Sequence, residues 1–174
     1  DKNNIFVANS SGKEHYVNFD NAIIATGSHP VKLPFLPDDN RIFDSTDALK
    51  INSIPKHLLI IGGGIIGLEM ATVYSALGSK ISIVEMMEGL MTGADRDIVR
   101  PLHKMIEKKC ENIWLETSVL KVELSKKGLK VFFKGKNAPD EPKFFDNILS
   151  SVGRSPNTSF ISADKAGVNI DEKG

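Results

Sequence analysis

A run of glycines in the middle of the chain has the spacing of a loop that can hold phosphate groups. The run is Gly62-Gly63-Gly64-Ile65-Ile66-Gly67, which fits the pattern G-x-G-x-x-G. Alone the pattern is a weak signal, because glycine loops are common. Here the loop directly follows the apolar run Leu58 to Ile61 and directly opens a helical pattern, and Glu85 ends the next predicted strand. Together these features are typical of a dinucleotide-binding βαβ unit.

Each residue of this pattern has a physical role in holding a dinucleotide. Gly62 permits a tight turn out of the strand, Gly64 lets the backbone approach a pyrophosphate, and Gly67 lets the helix pack closely on the sheet. The helix N-terminus offers unpaired N–H groups and a partial positive charge to the phosphates. Glu85 would accept hydrogen bonds from a ribose 2′-hydroxyl but would repel a 2′-phosphate, and residues 86–88 offer no cation. NAD is therefore predicted rather than NADP; the alternative is a glycine turn beside a solvated glutamate.

FAD and NAD use the same fingerprint, so the position of the loop along the chain has to distinguish them. Upstream, Ala22 to Ala25 has the pattern of an apolar strand that runs into the small polar turn Thr26-Gly27-Ser28. Such a turn suits the close approach of a flavin nucleotide. The 62–67 loop is therefore interpreted as the second nucleotide fingerprint of a protein with two such sites, which favours NAD there.

The alternation of strands and helices around the loop predicts a parallel sheet. Strand, helix, strand, helix and strand follow one another, which implies right-handed crossovers between parallel strands. The second helix has a predicted buried stripe at Ile98, Leu102, Met105 and Ile106. The predicted fold class is α/β and Rossmann-like. Its predicted elements are strands at 58–61, 80–85 and 113–116 and helices at 65–77 and 95–109.

The rest of the chain is predicted to be mainly β structure. Residues 30–37 hold three prolines and indicate a linker, because proline blocks helices and removes a donor from a sheet. Asp44 to Asp47 has N-cap chemistry for a short helix. An antiparallel meander is expected to be inserted before a last strand. The predicted strands are 5–7, 16–19 and 21–25 near the N-terminus, 119–124, 129–133 and 144–150 in the meander, and 147–152 at its end.

Composition narrows the classes of function. The chain has 22 basic and 22 acidic residues, so charge gives no reason to expect nucleic acid or an anionic membrane as a partner. No apolar run approaches the roughly 20 residues of a membrane span, and no signal peptide is recognised. The single cysteine, Cys110, rules out a disulfide scaffold and fits a reducing compartment, so a cytoplasmic location is expected. Cys110 is predicted to be a structural thiol at the end of a helix.

Five blocks of the sequence resemble the pyridine nucleotide–disulfide oxidoreductases, and within that family the bacterial dihydrolipoamide dehydrogenases. The resemblance covers essentially the whole chain. It implies an FAD/NAD(P)-binding fold with a parallel sheet, helices and an antiparallel meander. The matching blocks are 19–30 (FDNAIIATGSHP), 44–49 (DSTDAL), 61–70 (IGGGIIGLEM), 93–97 (GADRD) and 152–158 (VGRSPNT).

The resemblance also implies roles for individual residues. Glu69 is placed on the first turn of the helix, where the alternative role is a charge that favours the helix N-terminus. Ser150 and Ser151 depart from the family, which usually has apolar residues there. The implied contacts are Thr26, Gly27 and Ser28 with the flavin; Gly62, Gly63, Gly64, Ile65, Ile66, Gly67 and Glu85 with the NAD phosphates and adenosine ribose; Val119 with the adenine; and Glu69, Ser151, Val152, Gly153 and Arg154 toward the nicotinamide.

The activity implied by the resemblance belongs to a longer protein. Such enzymes are homodimers that oxidise dihydrolipoyl groups on the lipoyl domains of 2-oxo acid dehydrogenase complexes, passing electrons through a redox-active cysteine pair and FAD to NAD⁺. This sequence has neither that pair nor the acid–base His–Glu pair, and His29 and His103 are expected to be exposed. The chain is thus predicted to be a fragment without catalytic residues: remnant FAD-domain strands at 1–36, an NAD-binding domain at 37–152 and a return segment at 153–174.

Other interpretations remain open at this point. A transhydrogenase or a mercuric reductase of the same family would share the NAD-binding part. Glutathione reductase is disfavoured, because it prefers NADP and would show basic residues after the second strand. A non-catalytic NAD-binding module is the alternative from a different functional class.

Overall fold

A computed structural model describes residues 3–174 of the chain. These residues form two compact units, one of Pro30–Gly153 and one of the described residues through His29 together with Arg154–Gly174. The predicted functional boundaries at 36/37 and 152/153 stay a prediction. In chain order the elements are β1 (Asn4–Ala8), β2 (Glu14–Asn18), β3 (Ser28–Pro30), β4 (Ile42–Asp44), α1 (Ser45–Ala48), β5 (His57–Ile61), α2 (Ile65–Ala76), β6 (Lys80–Val84), α3 (Arg96–Glu107), β7 (Cys110–Trp114), β8 (Thr117–Ser125), β9 (Gly128–Gly135), β10 (Lys143–Phe145), β11 (Asn147–Ser150), β12 (Arg154–Pro156) and a 3₁₀-helix (Ala163–Ala166).

The centre of the larger unit is a five-stranded sheet in the order β4-β11-β5-β6-β7. All of its neighbouring strands run parallel, as the alternation of strands and helices predicts. The α/β, Rossmann-like class is therefore confirmed. The meander is also confirmed as an antiparallel sheet in the order β10-β9-β8. The predicted strand 144–150 is two strands, because β10 stays in the meander while β11 joins the parallel sheet.

The parallel sheet is buried on both faces, which explains the continuous apolar runs of its strands. Successive side chains of a strand point to opposite faces, so Leu58 and Ile60 pack in one core, against α2 and α3, while Leu59 and Ile61 pack in another, against the meander. The first core aligns α2 with the sheet. The second packs β8 and β9 on the other face of the sheet.

Helix α3 packs Leu102 and Ile106 in the core as predicted, but not Ile98 and Met105. Val99 is 4% exposed and Ile106 is buried, whereas Ile98 is 66% exposed and Met105 is also exposed. Leu102 packs against the core as predicted. The residues that pack in the core are 99, 102 and 106, which follow helical spacing. The prediction of Ile98 and Met105 was wrong, because each is the neighbour of a residue that is buried.

Cys110 begins a strand and does not end a helix. Helix α3 ends at Glu107, and Cys110 pairs with Ile81 at the start of β7. Burial raises the pKa of the Cys110 thiol to about 11. A thiol with this pKa stays protonated at neutral pH and is a poor nucleophile, which supports the structural role.

The smaller unit contains two sheets of two short strands each. Strands β1 and β2 form a hairpin in which Phe6 and Tyr16 face each other, and β3 pairs with β12. The predicted strand at 21–25 is wrong, because these residues form no strand and Ile23 is 94% exposed. Within the described residues no neighbouring strand is present to pair with this apolar segment.

Two statements about the whole described region bear on function. No helix in residues 3–174 combines the length and the apolar character required to cross a bilayer. In the same residues, no group of three or more His, Cys, Asp and Glu side chains is arranged to hold a metal ion.

Candidate dinucleotide site

The 62–67 loop lies at the carboxyl edge of the parallel sheet, where residues 62–64 connect β5 to α2 and residues 65–67 begin α2. Helix α2 begins at Ile65 with Gly64 as its N-cap residue, and no side chain caps this end. Uncapped N–H groups and the helix dipole make such an end suitable for a negatively charged group. The fold thus places the helix N-terminus where ligands bind in open α/β sheets.

Gly62 and Gly67 are required by the packing of the chain itself. Gly62 has a φ of +108°, and a Cβ atom there would lie 2.5 Å from the carbonyl oxygen of Ser151. A Cβ atom at Gly67 would overlap the carbonyl oxygen of Gly62 and lie 2.9 Å from Ser151 Oγ. These contacts match the predicted roles of a tight turn and a close approach of helix to sheet.

Gly63 connects the loop to the segment after β6. Its N–H donates to Glu85 Oε2 at 2.7 Å, and its carbonyl accepts from the N–H of Met91 at 2.9 Å. A Cβ atom here would lie 2.5 Å from the buried side chain of Leu90. The second residue of the motif is therefore held from both sides.

Gly64 differs from the other three glycines of the loop. Its φ is −83°, which any residue adopts, and a Cβ atom there would meet nothing within 4 Å. The protein's own packing does not require glycine at this position. The open space lies at the helix N-terminus, so it fits the close approach of a pyrophosphate to the backbone.

Glu85 is fixed by backbone N–H groups on both of its carboxylate oxygens. Oε2 accepts from Gly63 and Oε1 accepts from the N–H of Met87 at 2.8 Å. Its main chain bonds to Trp114 and Thr117, which ties it to the ends of β7 and β8. A carboxylate has about four acceptor positions, so two remain for ribose hydroxyls. Glu85 therefore lies beside the loop, and the binding of a dinucleotide by the two together stays a prediction.

Two cations, Arg96 at the start of α3 and Lys136 after β9, are engaged with other groups. The guanidinium of Arg96 donates to the carbonyl oxygens of Leu90, Met91 and Ala94. Lys136 Nζ pairs with Glu116 Oε2 at 2.9 Å. Met86, the residue after Glu85, is 71% exposed and apolar.

Two predicted contact residues have surroundings that the sequence did not show. Glu69 is exposed and is the fifth residue of α2, so its placement on the first turn was wrong, and the first turn has no acidic residue. The alternative role as a charge at the helix end is thereby removed. Val119 is buried, pairs with Phe133 across β8 and β9, and packs in the core against the meander. Its contact with adenine and the nicotinamide role of Glu69 stay predictions.

Residues after β11 lie beside the first glycine. Ser151 donates through Oγ to the carbonyl oxygens of Ile61 at 3.0 Å and Gly62 at 3.3 Å. Val152 and Gly153 are exposed, and the carbonyl of Gly153 accepts from the N–H of Val31. Ser151 and Val152 are therefore placed at the same sheet edge as the loop, whereas Arg154 belongs to the smaller unit.

The turn at Thr26, Gly27 and Ser28 is organised within the smaller unit. Arg154 donates to Ser28 through Nε at 2.7 Å and through Nη2. Asn157 donates to the carbonyl oxygen of Thr26 at 3.0 Å and bonds to His29 Nδ1 through Oδ1 at 2.7 Å. Sequence reasoning did not assign Asn157, although it stands in one of the matching blocks. The bond between Arg154 and Ser28 was not foreseen either.

Comparisons with known proteins agree with this fold. Residues 1–174 match the profile of the family described as pyridine nucleotide-disulphide oxidoreductase. A dihydrolipoyl dehydrogenase from Vibrio parahaemolyticus is 49% identical over 172 residues, which are 98% of this chain and 36% of that protein. The dihydrolipoyl dehydrogenase from Vibrio cholerae is 51% identical over 173 residues, or 99% and 36%. This chain thus spans little more than a third of these relatives.

Solved structures show the same fold. The Cu(II) complex of the HOCl-induced flavoprotein disulfide reductase RclA from Escherichia coli superimposes with a TM-score of 0.83 at 26% identity, over 99% of this chain and 38% of that one. LpdA from Mycobacterium tuberculosis gives a TM-score of 0.82 at 22% identity, over 98% and 36%. The predicted fold class is confirmed by these likenesses.

Proposed function

Because this chain belongs to the pyridine nucleotide-disulphide oxidoreductase family, we propose that its 62–67 loop and Glu85 bind NAD(H). The observation that carries the proposal is the carboxylate of Glu85, held by the N–H groups of Gly63 and Met87 with acceptor positions left for a ribose. The open space at Gly64 supports it from the phosphate side.

Each part of the site has one task in this proposal. The N–H groups at the start of α2 bind the pyrophosphate, and the helix dipole favours its charge. Glu85 orients the adenosine ribose and discriminates against a 2′-phosphate. Val119 lies by the adenine, and Glu69, Val152 and Gly153 lie toward the nicotinamide, as the family resemblance implies. NAD⁺, when bound, accepts a hydride.

The activity that we propose for the whole protein is that of a dihydrolipoyl dehydrogenase. This rests on relatives of that name that are 49% and 51% identical over nearly the whole chain. In the proposal, FAD and a redox-active disulfide supply the electron transfer, with Thr26, Gly27 and Ser28 near the flavin. The protein works as a cytoplasmic homodimer on lipoyl domains of 2-oxo acid dehydrogenase complexes. The chain supplies the NAD-binding part, and the redox groups lie elsewhere in the protein.

Calorimetric titration of the chain with NADH and NADPH tests the role of Glu85. We expect NADH to bind more tightly than NADPH, and a Glu85→Gln variant to lose roughly tenfold in NADH affinity, the scale of a hydrogen bond to a charged group. Glu85→Arg should lose NADH affinity and gain NADPH affinity, because the guanidinium can pair with a 2′-phosphate.

The control variant is Glu88→Gln, an exposed carboxylate three residues away, which should leave both affinities unchanged. Tighter binding of NADPH by the unmodified chain would contradict the proposal. The wider activity is tested with the full-length protein, by NADH formation from dihydrolipoamide and NAD⁺. A full-length protein that reduced another disulfide substrate but not lipoamide would select a different member of the family.

A further inference from the structure

Strand β11 ends at Ser150 and Ser151 follows it directly, and the hydroxyl groups of these two serines have different surroundings. Ser150 is 8% exposed, and its Oγ has no hydrogen-bond partner among the described residues. Ser151 points to the opposite face of the sheet, because side chains alternate along a strand. That face carries α2 and the 62–67 loop, and there the hydroxyl of Ser151 bonds to the loop.

The hydroxyl of Ser151 lies at the point where the loop and the helix approach each other most closely. It donates to the carbonyl oxygens of Ile61 and Gly62, at 3.0 and 3.3 Å. The carbonyl oxygen of Gly62 in turn faces the α-carbon of Gly67, so closely that a Cβ atom at Gly67 would overlap it. The Ser151 side chain thus bonds to Gly62 and would also lie 2.9 Å from a Cβ atom at Gly67.

We propose that Ser151 is a positioning residue for the pyrophosphate site. Its hydroxyl holds the carbonyl groups of Ile61 and Gly62 on the side of β11, so that the turn keeps the position against which Gly67 packs. The position of Gly67 sets where the first N–H groups of α2 face the ligand. This role differs from a direct contact with nicotinamide, and it rests on the proposed NAD site.

Loss of the Ser151 hydroxyl is expected to weaken binding of the phosphates and to leave binding of the adenosine unchanged. Glu85 is held by Gly63 and Met87 and makes no bond to Ser151 among the described contacts. Loss of the hydroxyl should therefore weaken ligands that contain a pyrophosphate, such as NADH and ADP-ribose. Adenosine, which lacks phosphate, should bind as before.

Two matched pairs of variants isolate the hydroxyl from the size of the side chain. Ser151→Ala removes the hydroxyl at nearly constant volume. Ser151→Thr and Ser151→Val have the same shape as each other, and only the first has a hydroxyl. We expect Ala to bind ADP-ribose about three- to tenfold more weakly than Ser, and Val more weakly than Thr by a similar factor, the range for one hydrogen bond. Ser150→Ala is the control and should change neither affinity.

Affinities for ADP-ribose and NADH are measured by calorimetry and the weaker affinity for adenosine by NMR titration, after thermal unfolding shows each variant to be folded. A pyrophosphate-specific loss, recovered by Thr relative to Val, supports the proposal. Equal affinities within both pairs, or an equal loss for adenosine, would overturn it while leaving the NAD site intact. Failure of the unmodified, folded chain to bind ADP-ribose would instead overturn the proposed function and this role with it.

Discussion

Two of the turns that contain a glycine with positive φ, one in each unit of the described residues, are held in different ways. Gly62 (φ +108°) and Gly27 (φ +70°) mark them. A Cβ atom at Gly62 would collide with Ser151, whereas the nearest atom to a Cβ at Gly27 would be Asn157 Nδ2 at 3.9 Å. The first turn is bounded by close packing, and the second is open around its glycine.

The hydrogen bonds of the two turns also differ, because one is bonded to the buried sheet and the other to polar side chains. The N–H of Gly62 donates to the carbonyl of Val84, a residue of a strand buried on both faces. The turn at 26–28 is held by polar side chains, with Asn157 bonded to Thr26 and Arg154 bonded to Ser28. A turn held by packing is sensitive to added volume, while a turn held by side-chain bonds is sensitive to removal of a donor.

The largest effect is expected from Gly67→Ala, which adds one carbon where loop and helix touch. Alanine favours a helix by about 1 kcal/mol relative to glycine, so a net loss of stability reports the steric conflict alone. We expect the free energy of unfolding in urea to fall by about 1–3 kcal/mol, the usual cost of overpacking. NADH affinity should fall more than tenfold, because the start of α2 is displaced.

The control changes a side chain of the same helix without adding a carbon atom. Ser75→Ala, on the same helix, changes volume only slightly and removes one exposed bond to the carbonyl of Lys109. It should have little effect on NADH affinity. A Gly67→Ala variant as stable as the parent chain would mean that the turn at Gly62 accommodates the added carbon without a steric cost.

The packed region is also the one that the sequence predicts well. A continuous apolar run before the glycines, and a helical pattern after them, are local signals, so β5, α2 and β6 lie within one or two residues of their predictions. Glu85 could be paired with the loop because the fingerprint includes it. The phase of α3 could not be settled, because Ile98 and Val99 are both apolar and only the packing decides which is buried.

The open turn depends on contacts that no local pattern reveals. Asn157 is 131 residues from Thr26, and Arg154 is 126 residues from Ser28. Residues 21–25 have the composition of a strand, but a strand also requires a neighbour, and pairing cannot be derived from composition. The role of Ser151 could not be predicted from local sequence either, because it depends on the register of β11 beside β5.

An intermediate effect is expected at Gly64, where a substitution should change ligand affinity without lowering stability. Gly64→Ala meets nothing within 4 Å and has a φ that alanine adopts, so stability in urea should stay the same or rise slightly. NADH and ADP-ribose should bind at least tenfold more weakly, because the new methyl group occupies the space proposed for the pyrophosphate. Calorimetry and urea unfolding of the same sample provide both numbers. Unchanged NADH affinity would place the pyrophosphate elsewhere.

The smallest and most local effect is expected from Asn157→Ala. The change removes the donor to Thr26 and the partner of His29, which should cost about 1 kcal/mol of local stability, the usual net contribution of a hydrogen bond. Amide hydrogen exchange at residues 26–29 should become several-fold faster, while exchange in β5 and β6 stays the same. Asn169→Ala, at an exposed asparagine of the same unit, is the control. Exchange at 26–29 as slow as in the parent chain would show that the open turn is held by more than its side-chain bonds, and the contrast with the packed turn would lose its basis.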